Sequence, residues 1–192
     1  MNKTIKNKTI SIVSPCFNEE DNVILLYNYF LKIMKNNPYK YEHIFIDNGS
    51  TDSTVEKIKV LAKNDKNLKL IVNTRNFGAI RSPYYGIIQS SGDACVLIPC
   101  DFQIPLKLIN EFIKRWEEGF KIVLAKKETT DGNSFKFYLR RKYYKFMDRI
   151  SEVSILENCT GYGLFDKDLI NILRKIDDPY PYFRGLLIEI GY

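Results

Sequence analysis

Polar side chains that could bind a ligand follow three apolar runs of the sequence, at the points where the runs end. In chain order they are Asn18 and Glu19, then Asp47 and Asn48, and then Asp101 and Gln103. Carboxylates bind hard divalent cations, and such cations bridge the oxygens of a diphosphate. If the three runs are parallel strands, their carboxyl ends share one edge of a sheet, where the side chains can converge on one ligand. The spacing therefore predicts a site for a phosphorylated ligand at that edge.

The stretch Tyr41–Leu61 shows this pattern most fully. Its apolar run Ile44–Ile46 is typical of a strand buried on both faces, and a cluster of turn formers follows at once. An amphipathic helix comes next, with Ser53 and Glu56 spaced for a capping box. The turn amides precede a helix N-terminus and suit an anion, while Asp47 would point at a hydroxyl or a base N–H. By itself, the unit is explained equally well as a plain strand–turn–helix connection.

Strands and helices are predicted to alternate along the whole chain. The strands lie at Thr9–Pro15, Ile44–Ile46, Leu68–Asn73, Ala94–Ile98, Lys121–Ala125 and Asn158–Phe165, with amphipathic helices between most of them. Because no repeat or linker divides the chain, we expect one α/β domain over residues 1–192. Its fold would be a mostly parallel open sheet with helices on both faces, Rossmann-like in layout. Continuous apolarity places Ala94–Ile98 at the centre of that sheet.

Length and composition exclude several classes of protein. The 192 residues are 45% hydrophobic, which suits a domain with a sizeable core and argues against disorder. No apolar run approaches the ~20 residues that a membrane-spanning helix needs, and the basic N-terminus lacks a cleavage site for secretion. His43 is the one histidine, and the four cysteines show no C-x-x-C spacing. We therefore expect reduced thiols in a cytosolic protein and no zinc site.

A cluster of basic residues lies on one predicted helix, at about Phe135–Ser151. It includes Lys136, Arg140, Arg141 and Lys145, and the net charge of the chain is +6. A solvated basic face explains the cluster as well as an anionic partner does. Such a partner would be a lipid phosphate or a membrane surface. Nucleic acid ranks last, because no nucleic-acid-binding signature accompanies the charges.

Two common phosphate-binding motifs are absent, while six other motifs occur in a defined order. Neither G-x-G-x-x-G nor G-x-x-x-x-G-K-[ST] is found, which removes the main support for a dinucleotide site or a P-loop. The motifs present are Ser14–Glu20, Phe45–Asp52, Arg75–Gly78, Ser91–Asp93, Asp101–Pro105 and Phe183–Leu186. Together they resemble family 2 glycosyltransferases with the GT-A fold, above all the dolichyl-phosphate mannose synthases and the bacterial polyprenyl-phosphate glycosyltransferases. The resemblance covers nearly the whole chain; because the family usually continues past the last motif, we expect its C-terminal extension to be missing here.

The resemblance implies a nucleotide-diphosphate sugar donor, Mg²⁺ or Mn²⁺ bound with the donor diphosphate, and inversion at the anomeric carbon. It implies nucleotide binding by Pro15, Phe17, Asn18, Glu19, Asp47, Asn48, Asn76 and Gly78. It assigns the metal to Asp101 and the catalytic groups to Asp101, Gln103 and Arg184. It also implies a role in the synthesis of a cell-envelope glycan. The protein would be cytoplasmic and peripheral at the inner face of the cell membrane.

Three departures from the family pattern bear on this assignment. The Asp-x-Asp metal motif is Pro-Cys-Asp at Pro99–Asp101 and lacks its first carboxylate. Asn48 replaces the usual second aspartate of its motif. The family often has Gly-Asp-Phe-Arg, with the aspartate as candidate base, where this chain has Thr-Gly-Tyr-Gly at Thr160–Gly163. Metal affinity and activation of an acceptor hydroxyl are the two functions affected.

A polyprenyl phosphate acceptor would explain the missing base. A sugar hydroxyl profits from a general base by about 10²–10⁴ in rate, whereas a phosphate is already an oxyanion and needs cationic guidance instead. Arg184 and the basic helix could supply that guidance. We therefore predict an inverting glycosyltransferase that acts on a polyprenyl phosphate. The alternatives are a saccharide acceptor, a weakened or inactive nucleotide-sugar-binding domain, and a nucleotidyltransferase, which ranks lower because its Gly-rich loop is missing.

Overall fold

The computed structural model of this chain describes residues 7–126 and 159–191. The strands are β1 (Thr9–Cys16), β2 (Lys40–Asp47), β3 (Leu68–Val72), β4 (Ala94–Leu97), β5 (Ile122–Lys126) and β6 (Cys159–Asp166). The helices are α1 (Val23–Lys35), α2 (Thr54–Asn64), α3 (Gly78–Gln89), α4 (Leu108–Glu117), α5 (Lys167–Leu173) and α6 (Phe183–Glu189). The predicted basic helix with Lys136, Arg140, Arg141 and Lys145 lies outside the described residues.

The six strands form one sheet in the order β3-β2-β1-β4-β6-β5. β1 pairs in parallel with β2 and β4, and β2 pairs in parallel with β3, whereas β6 runs antiparallel to both β4 and β5. The ends of β1 and β2 are in register, with Cys16 opposite Asp47. The prediction of a mostly parallel α/β sheet is confirmed, with β4 in its interior. Because β6 is reversed, its first residues lie at the edge where the parallel strands end.

Helices cover both faces of the sheet, as predicted, because neighbouring residues of the strands point to opposite faces. On one face Ile10, Ile12 and Phe45 pack in one core with Phe30 of α1 and Phe112 of α4. On the other face Val13, Ile44 and Ile46 pack with Ile87 of α3, Leu169 of α5 and Leu187 of α6. Because both faces of the sheet are covered by helices, consecutive strand residues are buried on alternate faces. The strands therefore need continuous apolar runs.

The predicted capping box at the start of α2 is wrong. Ser53 is the N-cap residue, but its side chain makes no capping hydrogen bond. Instead, the Asp52 carboxylate accepts a bond from the Thr54 amide at 3.0 Å. Among the helices that the structure describes, none is long and apolar enough to cross a bilayer.

Candidate functional site

A cleft of about 250 Å³ lies at the carboxyl edge of the parallel strands. Its walls come from the segments after β1, β2 and β4, the start of α3 and the first residues of β6. Seven residues predicted for the site line it: Pro15, Phe17, Glu19, Asn48, Asn76, Gly78 and Asp101. Their convergence follows from the parallel pairing, which brings segments far apart in sequence to one edge.

Four predicted site residues do not line the cleft: Asn18, Asp47, Gln103 and Arg184, the last of which lines a neighbouring cavity described below. The backbone amide of Gln103 donates to Asp101 Oδ1 at 3.1 Å. This bond connects the turn of Gln103 to Asp101, which does line the cleft. Asn18 has a left-handed backbone with φ of 55° and bridges two loops. Its amide donates to Ser50 Oγ at 2.8 Å, and its Oδ1 accepts from the Thr51 amide at 2.9 Å. Both residues therefore shape the edge rather than face the cleft.

Asp47 is fully buried, and its carboxylate turns back onto its own turn. It accepts hydrogen bonds from the amides of Gly49 and Ser50, both at 3.0 Å, and from Ser50 Oγ at 2.5 Å. The turn amides were expected to bind an external anion, and this expectation is wrong for these two. They are occupied because a carboxylate from the same turn reaches them without the entropic cost of recruiting a ligand. Asp47 thus holds the turn in shape and presents no surface to a hydroxyl or a base.

Asn48 ties the turn after β2 to the loop between β3 and α3. Its Nδ2 donates to Asn76 Oδ1 at 2.8 Å and to the Gly78 carbonyl at 3.4 Å. Its Oδ1 accepts from the Phe77 amide at 2.9 Å and from Asn73 Nδ2 at 3.3 Å. An amide has two donors and two acceptor positions, so the hydrogen-bonding capacity of Asn48 is used within the protein. Asn48 thus acts as both donor and acceptor here, whereas an ionised aspartate could only accept.

The accessible wall of the cleft carries an aromatic ring and two carboxylates. Phe17 is 44% exposed and offers a face on which a base could stack. Glu19 is held in place because its amide donates to Thr54 Oγ1 at 2.8 Å and its carboxylate accepts from Asn22 at 2.6 Å. Asp101 also lines the cleft and is exposed.

These residues fit a divalent cation only if a ligand supplies further oxygens. Within residues 7–126 and 159–191, no group of three or more His, Cys, Asp or Glu side chains is placed to hold a metal ion. Mg²⁺ is commonly bound through one or two carboxylates together with substrate phosphates. Asp101 lines the cleft and is suited to that role, and its assignment to the metal stays a prediction.

A second cavity of about 220 Å³ adjoins the cleft and contains Arg184. The two cavities share Ala79, Pro83 and Tyr162 as walls. The stem of Arg184 lies over Gly161, where an added Cβ would meet its Cγ at 3.6 Å and its Cδ at 3.7 Å. Gly161 also has a φ of 81°, a conformation that favours glycine. The predicted residue Arg184 therefore lies beside the nucleotide-site candidates rather than among them.

Tyr162 and Cys100 also line the cleft, although sequence analysis did not predict them as site residues. Burial, with a smaller contribution from the Asp101 charge, raises the pKa of Tyr162. Its phenol therefore stays protonated at neutral pH and can donate a hydrogen bond, but it cannot act as the missing base. Burial likewise raises the pKa of the Cys100 thiol well above its usual range. The sequence pointed to Tyr162 as a site residue only through its position in Thr160–Gly163, the motif that departs from the family pattern.

Comparison with known proteins agrees with this geometry. A profile of "Glycosyl transferase family 2" matches residues 11–178. The Bacillus subtilis (strain 168) protein CsbB, a candidate glycosyltransferase by name, is 34% identical over 188 residues, covering 98% of this chain and 57% of CsbB. The bactoprenol glucosyl transferase of Shigella phage SfV is 32% identical over 188 residues, covering 95% of this chain and 60% of the relative. The chain thus spans less than two thirds of the length of these relatives.

A solved structure with the same fold is glucosyl-3-phosphoglycerate synthase from Mycobacterium tuberculosis in complex with Mn²⁺, UDP and phosphoglyceric acid. It aligns with a TM-score of 0.59 at 22% identity, covering 96% of this chain and 62% of that one. At this identity the likeness concerns the fold, which is that of the GT-A glycosyltransferases. Since the family profile covers most of the sequence and its motifs meet in one cleft, the chain belongs to glycosyl transferase family 2.

Proposed function

We propose that this chain binds a nucleotide-diphosphate sugar and transfers the sugar, with inversion, to a polyprenyl phosphate. The observation that carries the proposal is the pair of adjoining cavities. One is lined by Phe17, Glu19 and Asp101, and the other by Arg184, with no Asp, Glu or His among the described residues that line it. The naming of a relative as a bactoprenol glucosyl transferase supports this choice of acceptor.

The first cavity would bind the donor. The exposed ring of Phe17 is suited to stack on the base, and Glu19 is held where it could accept hydrogen bonds from ribose hydroxyls. Asp101 would hold Mg²⁺ or Mn²⁺ together with the diphosphate. When bound there, the cation would neutralise charge on the nucleoside diphosphate leaving group. Asn48 and Asp47 would contribute indirectly, because they fix the loops that carry the lining residues.

The second cavity would receive the acceptor phosphate. Arg184 presents a planar guanidinium that matches phosphate oxygens, and protonated Tyr162 can donate a hydrogen bond at the boundary between the cavities. A phosphate oxygen would attack the anomeric carbon from the side opposite the diphosphate. The new carbon–oxygen bond forms as the bond to the diphosphate breaks, and the leaving group departs with the electron pair. No proton has to be removed from the acceptor, which is consistent with the absent base.

The direct test combines binding and transfer. UDP, GDP and dTDP are titrated into the protein by calorimetry, with and without Mn²⁺, and the best nucleotide defines the donor series. The protein is then incubated with that nucleotide's sugars and undecaprenyl phosphate, and lipid-linked sugar is measured. Asp101→Asn should abolish most transfer, while the matched control Glu56→Gln, an exposed carboxylate on α2, should not change it. If no nucleotide binds to the parent protein, the proposal is wrong.

The metal requirement makes a second, independent prediction. Because the described residues offer no complete metal site, calorimetry should detect little binding of Mn²⁺ to the free protein. Adding the preferred nucleoside diphosphate should produce binding of both together, and Asp101→Asn should remove the dependence of nucleotide affinity on Mn²⁺. Tight Mn²⁺ binding without nucleotide would show that further ligands exist.

A weakened or inactive nucleotide-sugar-binding domain is the second candidate. It is favoured by Pro99, which replaces the first carboxylate of the metal motif and also lines the cleft. This candidate predicts nucleotide binding without transfer to undecaprenyl phosphate or to any sugar. Transfer to a soluble saccharide but not to the lipid phosphate would instead favour the saccharide acceptor.

A further inference from the structure

The surface beside the Arg184 cavity exposes several large apolar side chains. Among the described residues, twelve large hydrophobic side chains are strongly exposed, and five of them lie on this one surface. These five are Val72 (49%), Ile80 (48%), Tyr85 (46%), Tyr180 (74%) and Tyr182 (54%). Scattered exposed apolar residues need no explanation, but a contiguous group of them marks an interaction surface.

Two arginines are interleaved with aromatic rings on the same surface. The guanidinium of Arg75 lies 4.3 Å from the centre of the Phe77 ring. Arg81 lies 5.5 Å from the centre of the same ring and 4.8 Å from that of Tyr180. We call this surface the arginine–tyrosine face; it consists of Val72, Arg75, Phe77, Ile80, Arg81, Tyr85, Tyr180 and Tyr182.

The face is continuous from the edge of the sheet to the acceptor cavity. A groove of about 770 Å³ is lined by Val72, Phe77, Arg81 and Tyr85. Beyond Arg81, Ile80 and Tyr182 form part of the wall of the cavity that contains Arg184. A ligand moving along the face would therefore arrive at Arg184.

Two carboxylates, Asp177 and Asp178, also line the groove and offset part of its positive charge. Asp178 is engaged within the chain, because its Oδ1 accepts a bond from the Tyr180 amide at 2.8 Å. Arg174 also lines the groove. None of the eight residues that make up the arginine–tyrosine face is itself a carboxylate, and two of the eight are arginines.

We propose that the arginine–tyrosine face rests on an anionic lipid bilayer. Tyrosine and arginine both have an apolar body and a polar tip, which suits them to the boundary between headgroups and hydrocarbon. Stacking on a ring uses the flat face of a guanidinium and leaves its in-plane donors pointing outward. Arg81 Nε donates to the Phe77 carbonyl at 3.2 Å, so its terminal amino groups are the donors suited to lipid phosphates. The inference rests on the proposed function, since a lipid-linked acceptor must reach Arg184 from a bilayer, and the face ends at that cavity.

A triple variant and a matched control test this inference with vesicles of phosphatidylethanolamine and phosphatidylglycerol. The variant Arg75→Gln/Tyr85→Ser/Tyr180→Ser removes one cation and two exposed rings from the face. The control Lys63→Gln/Val60→Ser/Phe120→Ser removes one exposed cation and two exposed apolar side chains elsewhere. Sedimentation should show the variant partitioning about tenfold or more weakly than the parent, since one basic residue near an anionic surface contributes roughly fivefold and the rings add to it. The control should bind like the parent.

Three results would overturn the inference. The first is equal vesicle binding by the parent and the triple variant, and the second is an equal loss in the control. The third is a parent protein that is dimeric in solution while the variant is monomeric, which would make the face an interface between two copies. The affinity for the best-binding nucleoside diphosphate, measured without lipid, should be the same in all three proteins. If UDP, GDP and dTDP all fail to bind to the parent, the proposed function is refuted, whereas the vesicle comparison still decides the membrane contact.

Discussion

The buried imidazole of His43 predicts that this protein loses stability in weak acid. The side chain is fully buried, and its ring stacks on Phe45 with the ring centres 4.2 Å apart. Nε2 lies 3.0 Å from Ser14 Oγ, whereas Nδ1 is buried without a hydrogen-bond partner. A charge on this ring would be buried among aromatic groups. Burial therefore lowers the pKa of His43 from 6.5 to about 3, although the nearby Asp65 carboxylate opposes the shift.

The sign and size of the effect follow from proton linkage. Between these two pKa values the unfolded chain binds a proton that the folded protein excludes, so stability falls as the pH falls. The contribution is fully present above pH 6.5 and is lost progressively towards pH 3. Each pH unit in that window is worth about 1.4 kcal/mol, which gives roughly 4–5 kcal/mol in total. Between pH 6.5 and 5 the loss is about 2 kcal/mol, before most carboxylates begin to titrate.

Urea unfolding at several pH values between 7.5 and 5 measures this loss. The control is Ser14→Ala/His43→Phe, which replaces both hydrogen-bonding partners with apolar groups and should show a flatter pH dependence. Because His43 is the only histidine, its NMR signal reports the pKa directly, even if the control folds poorly. A folded-state titration with a midpoint near 6.5 would refute the reasoning, and so would parallel pH profiles of the parent and the control.

Two further predictions concern the edge that carries the site. Asp47→Asn should lower the free energy of unfolding by about 1–3 kcal/mol, because it weakens charge-assisted bonds to the turn amides. The exposed Asp21→Asn is its control in urea unfolding; unchanged stability with weaker nucleotide binding would instead make Asp47 a direct ligand. Gly163→Ala should cost at least ~2–3 kcal/mol or prevent folding, because its Cβ would lie 1.9 Å from the Val123 carbonyl oxygen. An unchanged thermal midpoint would show that β5 and β6 can separate there.

Much of the fold could be predicted because the signals for strands and helices are local. The runs around Ile44 and Ala94 are apolar over consecutive residues, as strands covered on both faces must be. Polar residues at their ends then had to share one edge, because parallel strands end together. This reasoning correctly brought Glu19 and Asp101 into the same cleft.

The details of the site depend on partners that are distant in sequence. Asn48 is bound by Asn73 and Asn76, which are 25 and 28 residues away, and nothing local distinguishes this arrangement from an amide facing a ligand. Asp47 was predicted at the edge, but the direction of its carboxylate depends on a competition between its own turn and an external ligand. In the folded protein Asp47 is fully buried, so its carboxylate binds the amides of its own turn and not an external ligand.

The sequence by itself determined the alternation of strands and helices and the edge that their ends share, because these follow from periodicity and chain order. The family resemblance added further site residues, so that seven of the fourteen residues lining the cleft were predicted. Only the tertiary structure decided that β6 runs in reverse between β4 and β5, which brings Tyr162 to the boundary of the two cavities. It also decided that His43 is enclosed by aromatic rings from α1 and β2. The physical reason is that strand direction and burial depend on contacts across the whole domain, whereas periodicity records only which residues must avoid water.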